Sequence, residues 1–489
     1  MNKTVKGIVG GTICLALLVG GFVTLKLYDK SNDDSSNDDS LIAEESHTFY
    51  EHDSNEVNRV EVSNEQGGYV LYRTAEATDE NSKATYSIEG IEKYNLNDAI
   101  VSTIANNCSS LNALELIEEN STDLSQYGLD NPVAEVTVYF DDDTSETLLI
   151  GNNSPVDGVY FKLSDEDDVY TVNSNPMYVF TKNKDYFISR VCLETPDDDN
   201  YPIVENLTVE RSDIDYKIVL EYDHRADDEN YIGGTSASHI MTSPVYAYLN
   251  VENSEKITHG MFGLTADSIV KLSPTKEDLE VAGINEPTCK VTMSCDDGKT
   301  YTLTLGNSYD YTSEDGSNST SYLGYFDGID ILFSFTEGSI PWLNLKPMDI
   351  TSQIVFGTYI YDISDMTIKT KDKTLKFEGS GTADDYSIKL DGKDFDLNRY
   401  KSFYQALLKA PAEELYIDKV SGEPEVTVTI NLQSGGEPDV IEFYRLNDRK
   451  CVIVHNGTPS FACRSSFLDK SLLPNIENIQ GTDDFVTNW

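Results

Sequence analysis

The chain has 489 residues, which is the length of about two to four ordinary domains. Its 85 acidic and 36 basic residues give a formal net charge of −49, and a surface of that charge repels phosphate groups, so we exclude nucleic acid as a general partner. A wholly disordered chain is also excluded, because 30 tyrosines and 18 phenylalanines supply aromatic side chains for hydrophobic cores.

An uncharged segment near the N-terminus is long enough to cross a membrane. Residues 7–25 contain no charged side chain, and Lys3 and Lys6 precede them. As a helix this segment reaches roughly 28 Å, the thickness of the hydrocarbon core. It is longer than the apolar part of a cleaved signal peptide, which is the alternative. We therefore predict a cytoplasmic tip and a transmembrane signal anchor over residues 1–28. The bulk of the chain is then extracytoplasmic, because basic residues stay on the cytoplasmic side.

The segment that follows the anchor is polar and acidic. Residues 29–46 are rich in aspartate, serine and asparagine, a composition that cannot form a hydrophobic core. We predict a flexible acidic stalk over residues 29–51, and the first folded unit begins after it.

A repeated motif divides the rest of the chain. Its two clear copies share a turn with glycine and proline, followed by a later glycine: Tyr127, Gly128, Leu129, Asp130, Pro132 and Gly151 in the first, and Gly283, Pro287 and Gly306 in the second. The copies stand 155 positions apart (283 − 128), with no gap between the turn and the later glycine. An ungapped match of this length predicts an internal duplication.

Each copy predicts a β-hairpin after its turn. The residues of the first strand that we expect to be buried are Val136, Val138 and Phe140. They alternate with more polar residues, the period of a strand with one buried face, and residues 291–295 alternate in the same phase. Gly151 and Gly306 end the return strands, where we expect them to relieve a backbone constraint at a turn or bulge.

A third, diverged copy begins near Gly422, and its return strand lacks the closing glycine. A helix is predicted before each turn. Asn97 is expected to cap the first helix and Asp396 the third, while residues 254–262 form a shorter candidate in the second copy.

Two strand-like segments precede each helix, so each copy is predicted to run β-β-α-β and then continue as an antiparallel meander. We predict an α+β protein in which an N-terminal transmembrane helix is followed by three tandem, mostly antiparallel β units, each with one packed helix. The predicted boundaries are residues 52–195 for unit 1, 203–345 for unit 2 and 350–480 for the diverged unit 3.

These features resemble a known family. The strand pair, the helix, the turn at residues 127–132, the hairpin ending in Gly151 and the strand at residues 169–172 are similar to domain of unknown function 4340. The resemblance covers residues 55–480 and is strongest over residues 55–190. It implies a bacterial membrane-anchored protein, often encoded beside ABC-type transporters of the gliding-motility-auxiliary kind, and it transfers no catalytic residue. The second copy departs from the motif, because Ala282 replaces the tyrosine.

No residue pattern predicts catalysis, a cofactor or a metal site. The six histidines are scattered, and the chain has no Cys-x-x-Cys. Acidic runs at residues 141–143, 165–168 and 197–199 favour turns over Ca²⁺ binding, which stays open. Cys451 and Cys463 flank a predicted hairpin turn, and whether they form a disulfide also stays open.

We therefore expect a non-catalytic, membrane-anchored extracytoplasmic protein that serves as an accessory or binding subunit of an ABC-type transport complex. Residues 7–25 would contact the membrane, and an ABC-type permease and other extracytoplasmic proteins would be the partners. The alternative is a cell-surface module that binds wall polymer or glycan. A hydrolase that uses unrecognised carboxylates is the third hypothesis.

Overall fold

The structure is a computed structural model that describes residues 47–79, 82–227, 237–312 and 317–489. The predicted anchor at residues 7–25 lies outside these ranges, and within them no helix is long and apolar enough to cross a membrane. The described chain forms two compact units. The first contains residues up to Glu92 and Asn97–Phe187, and the second contains Lys93–Leu96 and Ile188–Trp489.

The first unit is built on an eight-stranded sheet with the order β4-β3-β2-β7-β8-β9-β10-β6, while β1 pairs with β5. Its strands and α-helices in chain order are β1 (Thr48–Glu51), β2 (Val57–Asn64), β3 (Tyr69–Ala75), β4 (Thr85–Ile88), α1 (Asp98–Ser109), β5 (Ser110–Asn112), β6 (Glu115–Glu118), β7 (Ala134–Phe140), β8 (Ser145–Asn153), β9 (Val159–Leu163), β10 (Val169–Val172) and α2 (Ser174–Met177). Because β1 begins at Thr48, the end of the predicted stalk belongs to this folded unit.

The second unit contains two nine-stranded sheets. The elements of its first sheet region are β11 (Val204–Arg211), β12 (Ile218–Tyr222), β13 (His239–Ser243), β14 (Ala247–Tyr248), α3 (Val251–Thr258), β15 (Ser268–Leu272), α4 (Lys276–Val281), β16 (Cys289–Cys295), β17 (Thr300–Thr312), β18 (Asn318–Phe326), β19 (Ile331–Thr336) and α5 (Pro347–Ile350). The elements of the other are β20 (Ile363–Thr370), β21 (Thr374–Ser380), β22 (Ser387–Leu390), β23 (Lys393–Asp394), α6 (Leu397–Leu407), β24 (Glu414–Leu415), β25 (Val426–Leu432), β26 (Asp439–Arg445), β27 (Lys450–His455), β28 (Thr458–Arg464) and α7 (Leu473–Glu477).

The three large sheets repeat one strand order. The sheets of the second unit run β14-β13-β12-β11-β16-β17-β18-β19-β15 and β23-β22-β21-β20-β25-β26-β27-β28-β24, which is the order of the first unit with one added edge strand. In each, the segment after the helix pairs antiparallel with the last strand of the meander, as β6 does with β10, β15 with β19 and β24 with β28. The predicted α+β class with repeated antiparallel sheets is therefore confirmed.

The alternation read from the sequence matches the buried faces of the central strands. The residues at most 5% exposed are Ala134, Val136, Val138 and Phe140 in β7, and Cys289, Val291, Met293 and Cys295 in β16. Their neighbours along each strand are exposed or half-buried. Each of these strands therefore turns one continuous apolar face to a core.

The predicted helix starts at Asn97 and Asp396 are confirmed. The Asn97 side chain accepts a hydrogen bond from Ile100 N, and the Asp396 side chain accepts one from Arg399 N. The predicted helix at residues 254–262 is wrong at both ends, because α3 runs Val251–Thr258. The side chain of Asn250 caps α3 by accepting from Asn253 N, a cap that the sequence analysis missed.

Polar contacts join the two sheet regions of the second unit. Arg225 binds both carboxylate oxygens of Asp439 at 3.0 and 3.1 Å, and it binds Asp223 through Nε and Nη2 at 2.8 Å each. Nearby, the Ser460 hydroxyl donates to Tyr246 O at 2.6 Å. Since Asp223 and Asp439 are at most 10% exposed at the side chain, this is a buried charged network.

Candidate functional site

The repeat motif of the first unit forms a tight turn that packs on a strand. A short 3₁₀ turn (Ser125–Tyr127) ends at Gly128, which has φ of 71°. A side chain at Gly128 would lie 2.6 Å from the amide of Asn152 in β8. The backbone angle therefore favours glycine at this position, and any side chain there would also displace the amide of Asn152.

Gly151 explains the second part of the motif. A Cβ atom at Gly151 would clash with the carbonyl oxygen of Tyr127, so the turn can approach β8 only because no side chain is present. The pairing of β8 with β9 shifts register between Ile150 and Asn153. Gly151 thus lies in a β-bulge, the kind of position that we expected for it.

The other motif residues support this packing or lie in the loop. Tyr127 is 9% exposed and packs with Leu129 and Val169. Its hydroxyl donates to Glu118 Oε2 at 3.0 Å. Burial and the nearby Glu118 carboxylate raise the pKa of Tyr127, which keeps the phenol protonated as a donor. Asp130 is exposed and Pro132 is half-buried in the loop before β7.

The second copy reproduces the geometry in the second unit. Gly283 has φ of 77°, and a side chain at Gly306 would clash with Ala282 O. Asn307 fastens the turn, donating through N to Ala282 O at 2.8 Å and through Nδ2 to Val281 O at 2.9 Å. Pro287 is half-buried before β16. The replacement of tyrosine by Ala282 therefore leaves the backbone contact intact.

The third copy lacks the contact between the motif turn and a glycine in the return strand. In β26, Tyr444 occupies the register position that corresponds to Gly151, because Phe443 pairs with Val426 as Ile150 pairs with Ala134. The ring of Tyr444 packs against the cluster of Val452, Val454 and Ala462. Nothing lies within 4 Å of the position where a Cβ of Gly422 would be, so Gly422 itself does not pack on the strand.

A pocket of about 420 Å³ opens beside the bulge of β8. It is lined by Val133, Ile150, Gly151, Asn152, Asn153, Val159, Ser174, Asn175, Met177, Tyr178 and Thr181. None of these side chains is charged, although the chain carries 85 acidic residues. We call this site the neutral pocket.

The neutral pocket presents polar side chains to solvent. The side chains of Asn152, Asn153, Asn175 and Ser174 are exposed, and no hydrogen bond from them occurs within the described residues. Tyr178 is 53% exposed, and Lys182 Nζ lies 3.7 Å from the centroid of its ring. Amides, a hydroxyl and an accessible aromatic ring can bind an uncharged ligand that carries many hydroxyl groups.

Sequence reasoning placed Gly151 but missed this pocket. The only local signal was the asparagine pair that follows Gly151, together with Ser174 and Asn175 after β10. These two segments are brought together by the pairing of β8, β9 and β10, in which Asn153 pairs with Val159 and Val159 with Val172.

The other sequence candidates lie apart from the neutral pocket. Cys451 and Cys463 are directly opposite across β27 and β28, with their Sγ atoms 2.6 Å apart. Asp141, in the first acidic run, forms a bidentate ion pair with Arg73. Among the described residues, no group of three or more histidine, cysteine, aspartate or glutamate side chains is arranged to hold a metal ion.

Comparison with known proteins identifies part of the chain. The family model described as Domain of unknown function (DUF4340) matches residues 87–230, which include the motif turn, β7–β10 and the neutral pocket. The resemblance predicted from the sequence is therefore confirmed over these residues. Neither the curated proteins nor the solved structures contain a match to the chain.

Proposed function

Because residues 87–230 belong to the family described as Domain of unknown function (DUF4340), we propose that the protein is a non-catalytic accessory subunit of an ABC-type transport complex, anchored in the membrane with its bulk outside the cytoplasm. The family match carries this proposal, through the transporter association that the resemblance implies. The uncharged segment at residues 7–25, preceded by Lys3 and Lys6, supports the anchor and its orientation. The association with transporters is an analogy at the level of the family.

The test is recovery of partners from cross-linked native membranes. Full-length protein with a C-terminal tag is purified after cross-linking and analysed by mass spectrometry. The control has the same anchor fused to an unrelated extracytoplasmic domain. We expect an ABC permease and its ATPase to be enriched over the control. Equal recovery of these subunits in the control, or their absence, would refute the accessory role.

The neutral pocket favours a second function, the binding of an uncharged glycan such as a wall polysaccharide. Its lining combines three asparagine side chains with an exposed tyrosine ring and no charge. Side-chain amides can donate to and accept from sugar hydroxyls at once. Because carbohydrate rings have apolar faces, the exposed ring of Tyr178 offers them a contact surface.

This second function can be tested with the full-length protein on immobilised wall polysaccharide. We expect Tyr178→Ala and Asn175→Ala to weaken retention by about tenfold or more, the loss of roughly 1.4 kcal/mol of binding free energy. Tyr311→Ala is the matched control, because Tyr311 is also exposed and lies outside the pocket. Retention that is absent in the native protein, or unchanged in both variants, would reject glycan binding at this site.

A further inference from the structure

The second unit contains another pocket of about 420 Å³, between α6 and residues 354–361. This volume falls within the range of about 300–1,000 Å³ that small-molecule sites occupy. Its lining is mostly apolar and aromatic, and includes Phe356, Ile360, Tyr361 and Leu408. We call this site the α6 groove.

The floor of the α6 groove is held rigidly. The Tyr404 hydroxyl donates to Thr358 O at 2.6 Å, and the Thr358 hydroxyl donates to the buried carboxylate of Asp439 at 3.0 Å. Phe356 is 2% exposed, and its ring centroid lies 6.4 Å from that of Phe443. The groove is therefore formed before any ligand arrives, which lowers the entropic cost of binding.

One face of α6 lines the length of the groove and places a charged side chain, Lys401, at one end. Lys401 and Gln405 lie on successive turns of α6, Leu408 is its C-cap, and all three line the groove. The seven residue steps from Lys401 to Leu408 span roughly 10 Å along the helix. Leu408 is 46% exposed and Ile354 is 36% exposed, so the end of the groove away from Lys401 presents apolar surface to solvent.

Lys401 supplies a positive charge without an acidic neighbour in the lining. Its Nζ lies 5.1 Å from the ring centroid of Tyr361. Within the described residues Lys401 forms no ion pair, and the groove is lined by no aspartate or glutamate. Lys401 is the one charged residue among the described residues that line the groove, and it lies beside apolar surface. The groove therefore selects for a ligand with an anionic group, although acidic residues outnumber basic ones in the whole chain, 85 to 36.

We propose that the α6 groove binds an elongated apolar molecule that ends in one anionic group, of the class of long-chain carboxylates. The anionic group pairs with Lys401, and the hydrocarbon chain lies along α6 toward Leu408 and Ile354. Charge complementarity selects this occupant over a second copy of the chain, whose surface is strongly acidic. This site is separate from the neutral pocket and does not depend on the transporter role.

The experiment is photo-cross-linking of the full-length protein in bilayers of neutral lipid. The probe is a long-chain carboxylate that carries a diazirine on its hydrocarbon chain, and labelled peptides are identified by mass spectrometry. We expect label on residues 354–361 and on α6. Excess unlabelled carboxylate should remove it, whereas the alcohol of equal chain length should compete far less. A parallel competition with an anionic phospholipid distinguishes a free acid from a lipid acyl chain as the source.

Variants make the test specific. Lys401→Met should reduce labelling by about fivefold, because it removes the charge while retaining apolar length. Leu408→Asp should abolish labelling by placing a carboxylate beside the hydrocarbon chain. Lys409→Met is the control, since Lys409 is exposed two residues after the end of α6 and does not line the groove. Absence of label at these peptides, equal competition by the alcohol, or full labelling of Lys401→Met would overturn the proposal.

Discussion

His239 is a buried histidine whose hydrogen bonds are both satisfied in the neutral form. Its Nε2–H donates to Val204 O at 2.7 Å, and its Nδ1 accepts from the Ser238 hydroxyl at 2.9 Å. Burial lowers the pKa of His239 to about 4, and the nearby His259 acts in the same direction. In the unfolded chain the imidazole titrates near pH 6.5. In mildly acidic solution His239 is therefore protonated in the unfolded chain and stays neutral in the folded second unit.

This difference predicts acid sensitivity. As pH falls from about 6.5 to about 4, the unfolded chain becomes protonated at His239 before the folded protein does, so the free energy of unfolding falls by about 3 kcal/mol. His239→Gln retains a donor toward Val204 but cannot titrate. Urea unfolding at neutral pH and near pH 4.5 should show a smaller decrease for this variant than for the native protein. Equal decreases would contradict the assignment.

Gly151 offers a second prediction at the scale of one residue. Gly151→Ala places a methyl group against Tyr127 O, and the turn must move away from β8. We expect the first unit to lose about 1–3 kcal/mol of stability, the usual cost of overpacking. Asn153→Ala, an exposed change two residues along the same strand, should stay within about 0.5 kcal/mol. Thermal unfolding followed by circular dichroism measures both, and equal stabilities would exclude the proposed steric role.

At the scale of strands, the register of β27 and β28 places two cysteines opposite each other. Cys451 pairs with Cys463, both are buried, and their sulfur atoms are already in contact. Hydrogen bonding with Cys451 and burial raise the pKa of the Cys463 thiol. Because the thiolate is the reactive form, the raised pKa slows oxidation of this thiol in the folded protein.

If the chain folds outside the cytoplasm, we expect a disulfide between Cys451 and Cys463. Protein isolated from its native location, denatured without reductant and alkylated, should leave these two thiols unlabelled and yield a linked peptide. Cys108 and Cys289 serve as internal controls, because both are free and buried and should be alkylated fully. Alkylation of Cys451 and Cys463 before reduction would show that the pair stays reduced.

Across the second unit, the charged network joins residues that are 214 positions apart in the chain. Burial alone would raise the pKa of Asp439, but His455, Arg225 and Thr358 together hold it at about 2. His455 Nε2 lies 3.7 Å from the carboxylate, beyond hydrogen-bond distance, so the contacts from Arg225 supply the main attraction. This contribution to stability is present above about pH 4 and is lost as pH falls through 2.

Removal of the cation should therefore be costly. Arg225→Met removes the cation that Asp223 and Asp439 share and leaves both carboxylates buried, so we expect a loss of about 3 kcal/mol from the second unit. Lys217→Met is the control, since the Lys217–Glu210 ion pair is exposed and should contribute less than about 1 kcal/mol. Chemical denaturation measures both variants. A similar effect of the two substitutions would mean that the buried network contributes no more stability than an exposed ion pair does.

Local patterns account for what was predictable in each sheet. The burial of Val136, Val138 and Phe140 could be predicted because apolar residues recur at every second position. The caps at Asn97 and Asp396 could be predicted because each residue immediately precedes the helix that it caps. The short strands β14 and β23 at one edge of their sheets, and β6, β15 and β24 at the other edge, were missed. β14 and β23 have only two residues each, and β6, β15 and β24 have two to five residues and pair with strands distant in the chain, so their own residues carry little signal.

The sequence by itself determined the repeated β-hairpins, the positions of the motif glycines and the acidic charge, because each depends on residues close together in the chain. The tertiary structure decided which groups meet. It brought Asn153 beside Asn175 in the neutral pocket, and it placed Lys401 at the end of the α6 groove. These sites arise from the pairing and packing of separate strands and helices, and the period of a single segment does not encode the register of its partner.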